Sequence, residues 1–182
     1  MNDHAVLSRP YDTAHLPSTG ADVAIDASAD QRAALAVAYD LVAVDGFSAN
    51  ATLLRGSGGM VTVEGRVVAD IVQSCVVSLE PVAQHIDEGF SLSFVPAGSR
   101  EAGPPAGAGK EVAIDPEAPD PPEVMDGTTI DVGTLAEEMF VLAIDPYPRA
   151  PGAELPAELG EDSGSAEESP FAVLREVMRT RK

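Results

Sequence analysis

The stretch VTVEGRVVADI, Val61 to Ile71, decides the fold. Val61, Val63, Val67, Ala69 and Ile71 fall on one side of a period-two alternation, and Thr62, Glu64, Arg66 and Asp70 fall on the other. Successive side chains of an extended chain point to opposite faces, so this run is a strand with one face buried and one in water. Cys75, Val77 and Leu79 continue the apolar parity up to Pro81, after which Ile86, Phe90, Leu92 and Phe94 alternate with His85, Asp87, Ser91 and Ser93. Two such runs joined near Glu80-Pro81 predict an antiparallel hairpin. Its core residues are Val63, Val67, Ile71, Phe90 and Phe94, while Glu64, Asp70 and Asp87 face solvent.

Working outward, Phe47, Ala49, Ala51 and Leu53 alternate with Ser48, Asn50 and Thr52, a further strand that RGSGG at residues 55–59 ends. Asp45-Gly46 before it reads as a turn. Ser28 with Gln31 has the form of a capping box, and Leu35, Tyr39 and Val42 follow at helical spacing, which predicts a helix over 29–41. Thr134 with Glu137 has the same form and opens a helix through Leu135, Met139, Phe140 and Leu142 that Pro146 must stop. Ser169-Pro170 supplies an N-cap and a first-turn proline for a last helix. The fold class is α+β: an antiparallel β-sheet core with flanking helices and long acidic loops rich in Pro and Gly.

The chain of 182 residues carries 11 Lys and Arg against 30 Asp and Glu, a net charge of −19. A length in this range fits one domain with tails. Hydrophobic residues make up 45%, enough for a real core, but aromatics are 4% with no Trp, so that core is built from Val, Leu, Ile and Ala. The acidic excess disfavours phosphate backbones and anionic membranes as partners. Acids, prolines and glycines concentrate in 96–122 and in 146–168, segments that read as loops or linkers. The organisation is therefore a single α+β domain over 1–148 with a flexible loop at 96–122, an acidic linker over 149–168, and an amphipathic helix over 169–182. No apolar run approaches the ~18 residues of a membrane span, and MNDHAVLSRP has no basic, then apolar, leader pattern. A soluble, cytoplasmic protein is expected.

Chemistry-bearing patterns are sparse. One cysteine, Cys75, excludes an internal disulfide and every zinc site that needs a cysteine pair. With His4, His15 and His85 scattered, neither a metal site nor a cofactor is predicted, and His85 belongs to a polar strand face. GPPAGAGK, 103–110, departs from a phosphate loop in spacing and has Glu111 where a Ser or Thr would hold magnesium. DGTTIDVGTLAEE, 126–138, lacks the ligand spacing of a calcium loop and reads as a turn and helix start. Cys75 has neither a helix start nor a cation beside it to lower its pKa and is read as a small buried hydrophobe. No acid–base pair or small-molecule substrate site stands out, so no enzymatic activity is expected.

The last segment is the one basic patch, with Arg175, Arg179, Arg181 and Lys182. Phe171, Leu174, Val177 and Met178 share one helical face. Two readings stay open: the helix folds back on its own sheet, or it is a docking helix for a partner, with Phe171, Leu174, Arg175, Val177, Met178 and Arg179 as contacts.

CVVSLEPV, residues 75–82, resembles the C-x-R-C-L-E-P-V signature of the YceD family, the large ribosomal RNA subunit accumulation proteins; Cys75, Leu79, Glu80 and Pro81 carry the match. The stretches 64–88, 130–153 and 169–177 fit in the same order. Val77 and Ser78 replace the signature's arginine and second cysteine, so the chain is similar to the cysteine-poor, alphaproteobacterial-type form, and no metal site carries over. The resemblance implies a non-enzymatic role in accumulation of large-subunit ribosomal RNA, and hence in ribosome biogenesis. Its partner would be a basic ribosomal or assembly protein, with weak ribosomal RNA contact through the C-terminal basic helix. The alternative is an acidic adaptor or chaperone-like protein that shields a basic partner. A hydrolase using the carboxylates ranks last.

Overall fold

The computed structural model describes residues 5–99, 121–125 and 127–154. Along them run β1 (Pro10–Asp12), β2 (Ala21–Asp26), α1 (Ala29–Ala38), β3 (Ala43–Arg55), β4 (Val61–Ser74), β5 (Pro81–Pro96), β6 (Glu123–Met125), β7 (Thr129–Asp131) and α2 (Val132–Ala143). Five strands form one sheet in the order β2-β3-β4-β5-β6, and β1 pairs with β7 in a separate two-stranded ribbon. This is an α+β architecture. Strands β2 to β5 are antiparallel neighbours, as the alternation around Val61–Ile71 predicts. The fifth strand corrects the expectation: β6 joins Phe94–Pro96 in parallel, which makes the sheet mixed. A parallel neighbour needs a long crossover, and the connection from Pro96 to Glu123 is long enough.

Among the described residues, one sheet face is packed and the other is open. Val61, Val63, Val67, Ala69 and Ile71 of β4 are buried together with Phe47, Ala49, Ala51 and Leu53 of β3. Both helices cover this face: Leu35 of α1 and Ala136 and Phe140 of α2 complete one cluster, and Leu16, Val132 and Leu135 join the other. Burial of each valine, leucine, isoleucine or phenylalanine side chain contributes ~1.5–3 kcal/mol. Phe140 meets Phe47 edge to face at 5.4 Å and Tyr39 at 6.1 Å. Gly65 breaks the valine row, and the Phe90 ring fills the gap from the opposing register position: a Cβ at Gly65 would lie 2.4 Å from that ring. Phe90 is therefore half-buried, the remaining predicted core residues being buried.

The elements differ from the expected ones where local signals compete. Asp45-Gly46 is a register shift inside β3, a bulge that leaves one residue unpaired, instead of a turn before it. The Ser28 capping box is present in full, with Gln31 bonding back to the Ser28 N–H. α1 ends at Ala38, short of 41, because Asp40 takes a left-handed φ of 53° and Leu41 N–H bonds back to Ala36 carbonyl. This is the Schellman closure, with Asp where Gly is usual. The second capping box does not form. Asp131 is the N-cap of α2, accepting from Thr134 N–H, while Glu137 is buried and turned inward.

Glu137 binds the N-terminal arm to both helices. Its Oε2 accepts Leu7 N–H at 2.9 Å and its Oε1 accepts the Tyr39 hydroxyl at 2.6 Å. Asp131 anchors the same arm through Ser8 Oγ and Arg9 N–H. Burial pushes the Asp131 carboxyl up, but these donors with Thr134 and Gly133 N–H outweigh it and hold it below the usual range. Gly133 lets the arm lie directly on α2: a Cβ there would sit 1.4 Å from the Leu7 carbonyl oxygen.

No helix among the described residues is long and apolar enough to cross a membrane. The polar stretch 100–120, which contains 103–110, lies outside the described residues, as do Asp126 and the whole of 155–182.

Candidate functional site

The open face of the sheet is lined by residues of the polar parity. Register places Asp22, Thr52, Glu64 and Ser91 in one row across β2 to β5, Asp26, Ser48, Val68 and Asp87 in another, and Asp70 beside His85. Asp22, Asp26, Glu64, Asp70, His85 and Asp87 are all exposed. Arg66 is the single Lys or Arg on this face among the described residues, and both arms of its guanidinium bind Asp87, one at 2.6 Å. That pair keeps the Asp87 carboxyl below its ordinary range. His85 Nδ1 lies 2.7 Å from Asp70 Oδ1, and Thr52 donates to Asp22 at 2.7 Å. The sheet thus presents a surface whose uncompensated charge is negative.

The second region is the turn between β4 and β5, which holds Cys75, Leu79, Glu80 and Pro81. Strand pairing stops at Ser74–Pro81, so the apolar parity does not continue through Val77 and Leu79. Cys75 N–H bonds to the Glu80 carbonyl and Leu79 N–H to the Cys75 carbonyl, closing a turn. Leu79 is held at φ 60°, a left-handed conformation rare for a leucine, and stands 77% exposed. Cys75 is fully buried, but it is more than a small hydrophobe. Its Sγ accepts N–H groups of Ala150, Ser78 and Val77 at 3.2, 3.3 and 3.4 Å. The Ala150 N–H first, then the Ser78 side chain and the Ser78 and Val77 N–H groups, lower the thiol to about 6 against the upward push of desolvation. The lowered pKa that sequence reasoning denied to Cys75 comes from the Ser78 side chain together with backbone donors, one of them 75 residues away.

Ala150, within the segment assigned to the acidic linker, is thereby attached to the body, and Val76 N–H also bonds to the Pro148 carbonyl. Gln84 and Gln73 pin the approach to this contact through the main chain of Ala143 and Asp145. Beside the turn lies a cleft of about 420 Å³ lined by Asp40, Leu41, Val42, Gln73, Ser74, Val76 and Pro148. Sequence reasoning missed Asp40 and Gln73. Two signals were available: Gln73 is a polar residue on the apolar parity of β4, and Asp40 stands where a helix normally ends in Gly.

The remaining candidates are dispersed. His15 pairs with Asp12 at 2.9 Å on the surface, and His4 lies outside the described residues. No group of three or more His, Cys, Asp or Glu among the described residues is placed to hold a metal ion. The expected partner contacts Phe171, Leu174, Arg175, Val177, Met178 and Arg179 also lie outside the described residues.

Comparison with known families matches residues 63–177, well over half the chain, to the model described as large ribosomal RNA subunit accumulation protein YceD. No curated protein and no solved structure matches significantly.

Proposed function

The chain belongs to the YceD family, and from that membership we propose that it is a non-enzymatic factor of ribosome biogenesis in the cytoplasm. It supports accumulation of large-subunit ribosomal RNA by holding a basic ribosomal or assembly protein. The observation that carries the reading is the open sheet face, where Asp22, Asp26, Glu64 and Asp70 are exposed and Arg66 is already paired. A surface with an excess of one sign speeds encounter with an oppositely charged partner and fixes its orientation. The same sign repels phosphates over a Debye length of ~8–10 Å, which makes protein, and not RNA, the primary contact. Any RNA contact falls to the basic residues near the C-terminus, Arg175 to Lys182.

The test is depletion combined with co-purification. Depletion lowers large-subunit ribosomal RNA more than small-subunit RNA, and a tagged chain retains a basic protein after nuclease treatment. The triple variant Asp26→Lys, Glu64→Lys, Asp70→Lys loses that protein while keeping its far-ultraviolet circular dichroism. An unchanged ratio of the two RNAs in depleted cells would refute the ribosomal reading and leave the acidic adaptor.

A further inference from the structure

We propose that the cleft beside the signature turn is a receptor for a single basic side chain, lysine or arginine, of the protein partner. The proposal deepens the function proposed above and rests on it for the source of that side chain.

Three features of the cleft favour a cation. Gln73 is 8% exposed, its Nε2 donates to the Asp145 carbonyl at 2.9 Å, and its Oε1 is buried with no hydrogen-bond donor among the described residues. A buried acceptor left unmade is costly and marks a place where a donor belongs. Asp40 lines the same cleft from the end of α1. Its position runs against two local rules at once, since the left-handed φ of 53° favours glycine and the C-terminal end of a helix disfavours an acid. The third is the negative end of α1 itself, whose last carbonyls add to the field of Asp40. Local rules broken together at one place point to a ligand of the opposite charge.

The walls select the kind of cation. Leu41, Val42, Val76 and Pro148 are apolar, and Val42 and Val76 are about half exposed at the rim. An aliphatic stem packs against such walls while its charged head reaches the acceptors, the way long basic side chains divide themselves between apolar surface and polar partners. A divalent metal ion would gain nothing from the apolar walls, and the single carboxylate of Asp40 supplies few of the oxygen ligands it needs. Multiple donors on a guanidinium or ammonium can serve Asp40 and Gln73 Oε1 together.

The test uses the full chain labelled with nitrogen-15. Nα-acetyl-arginine amide and Nα-acetyl-lysine amide are titrated in separate arms, with Nα-acetyl-norleucine amide as the uncharged comparison. The amides of Asp40, Leu41, Val42, Ser74 and Val76 and the Gln73 side-chain amide shift with saturation for one or both basic probes and not for norleucine. Asp40→Asn, which tolerates the left-handed backbone, weakens binding at least fivefold, whereas Asp30→Asn, at the exposed first turn of the same helix, changes it less than twofold. Shifts spread over the open face, equal shifts with norleucine, or equal effects of the two substitutions would overturn the proposal. Should the probes leave the cleft unmoved while depletion still lowers large-subunit RNA, this inference fails and the function stands. An unchanged RNA ratio with a responding cleft fails the function alone.

Discussion

Replacing Glu137 with leucine tests how the body is closed. Glu137 is 3% exposed and supplies the acceptors for Leu7 N–H and the Tyr39 hydroxyl. Leucine fills a similar volume but strands both donors, and each buried unsatisfied group costs ~1–3 kcal/mol. Some relief comes from the added apolar contact, so the expected loss is about 2–5 kcal/mol in urea unfolding followed by circular dichroism at pH 7. Glutamine behaves differently: its carbonyl can accept from Leu7 while its amide donates to the Tyr39 oxygen, which can serve as acceptor, and the loss falls to about 1 kcal/mol. Tyr39→Phe alone costs about 1 kcal/mol. Placed on top of Glu137→Leu it costs close to nothing, because the stranded hydroxyl is gone, giving a coupling of ~1 kcal/mol. A Glu137→Leu chain within ~0.5 kcal/mol of the parent, or strictly additive losses, would refute the account.

Three further outcomes are expected. Asp40→Gly raises stability by about 1 kcal/mol in the same urea assay, since it relieves a left-handed side chain and an acid at a helix C-terminus; a loss would mean that Asp40 has a structural partner. The Cys75 thiol titrates near 6 by absorbance at 240 nm, well below an ordinary thiol. Its pKa is depressed by folding, so the stability it adds is present above the unfolded pKa of ~8.5 and is lost as pH falls through 6; Cys75→Ala flattens that part of the stability–pH curve, and an unchanged curve would contradict the three-donor niche. Gly133→Ala drives a Cβ into the Leu7 carbonyl, so limited proteolysis cuts ahead of Pro10 faster than in the parent chain, and an unchanged rate there would count against the contact.

What could be read from sequence was what depends on neighbours along the chain. The alternation of Val61–Ile71 and of Phe47–Leu53 survives because period two is a local property, and the Ser28–Gln31 box because it closes within one turn. Thr134 and Glu137 meet the same letters, yet Asp131 stands three residues earlier with a stronger acceptor, and the side chain of Glu137 is claimed by Leu7 and Tyr39. Strand β6 has three residues beside a proline-rich stretch, too few to show a period. The site was less legible still. Asp40, Gln73 and Pro148 meet only after α1, β4 and the segment following α2 have been placed, and the donor that matters most to Cys75 is Ala150. Leu79 looked like one more alternating apolar residue, and nothing in its neighbours announces a left-handed backbone.

The bond from Leu7 to Glu137 spans 130 residues, whereas β2 to β5 pair each with the next along the chain. The two parts therefore assemble on different schedules. Loop closure favours the meander first, since its contacts are near in sequence and cost little entropy to bring together. Arm and α2 close over it last and, by the same token, open first. Amide exchange would then fall into two classes: protons of β3 and β4 leaving only with global unfolding, and those of Leu7, Arg9 and α2 leaving through a cheaper partial opening. A body whose last act is to lower a lid over its own aliphatic face carries, until residue 143 has been synthesised, a valine row that α1 covers only in part. A newly made chain is at its stickiest during that interval.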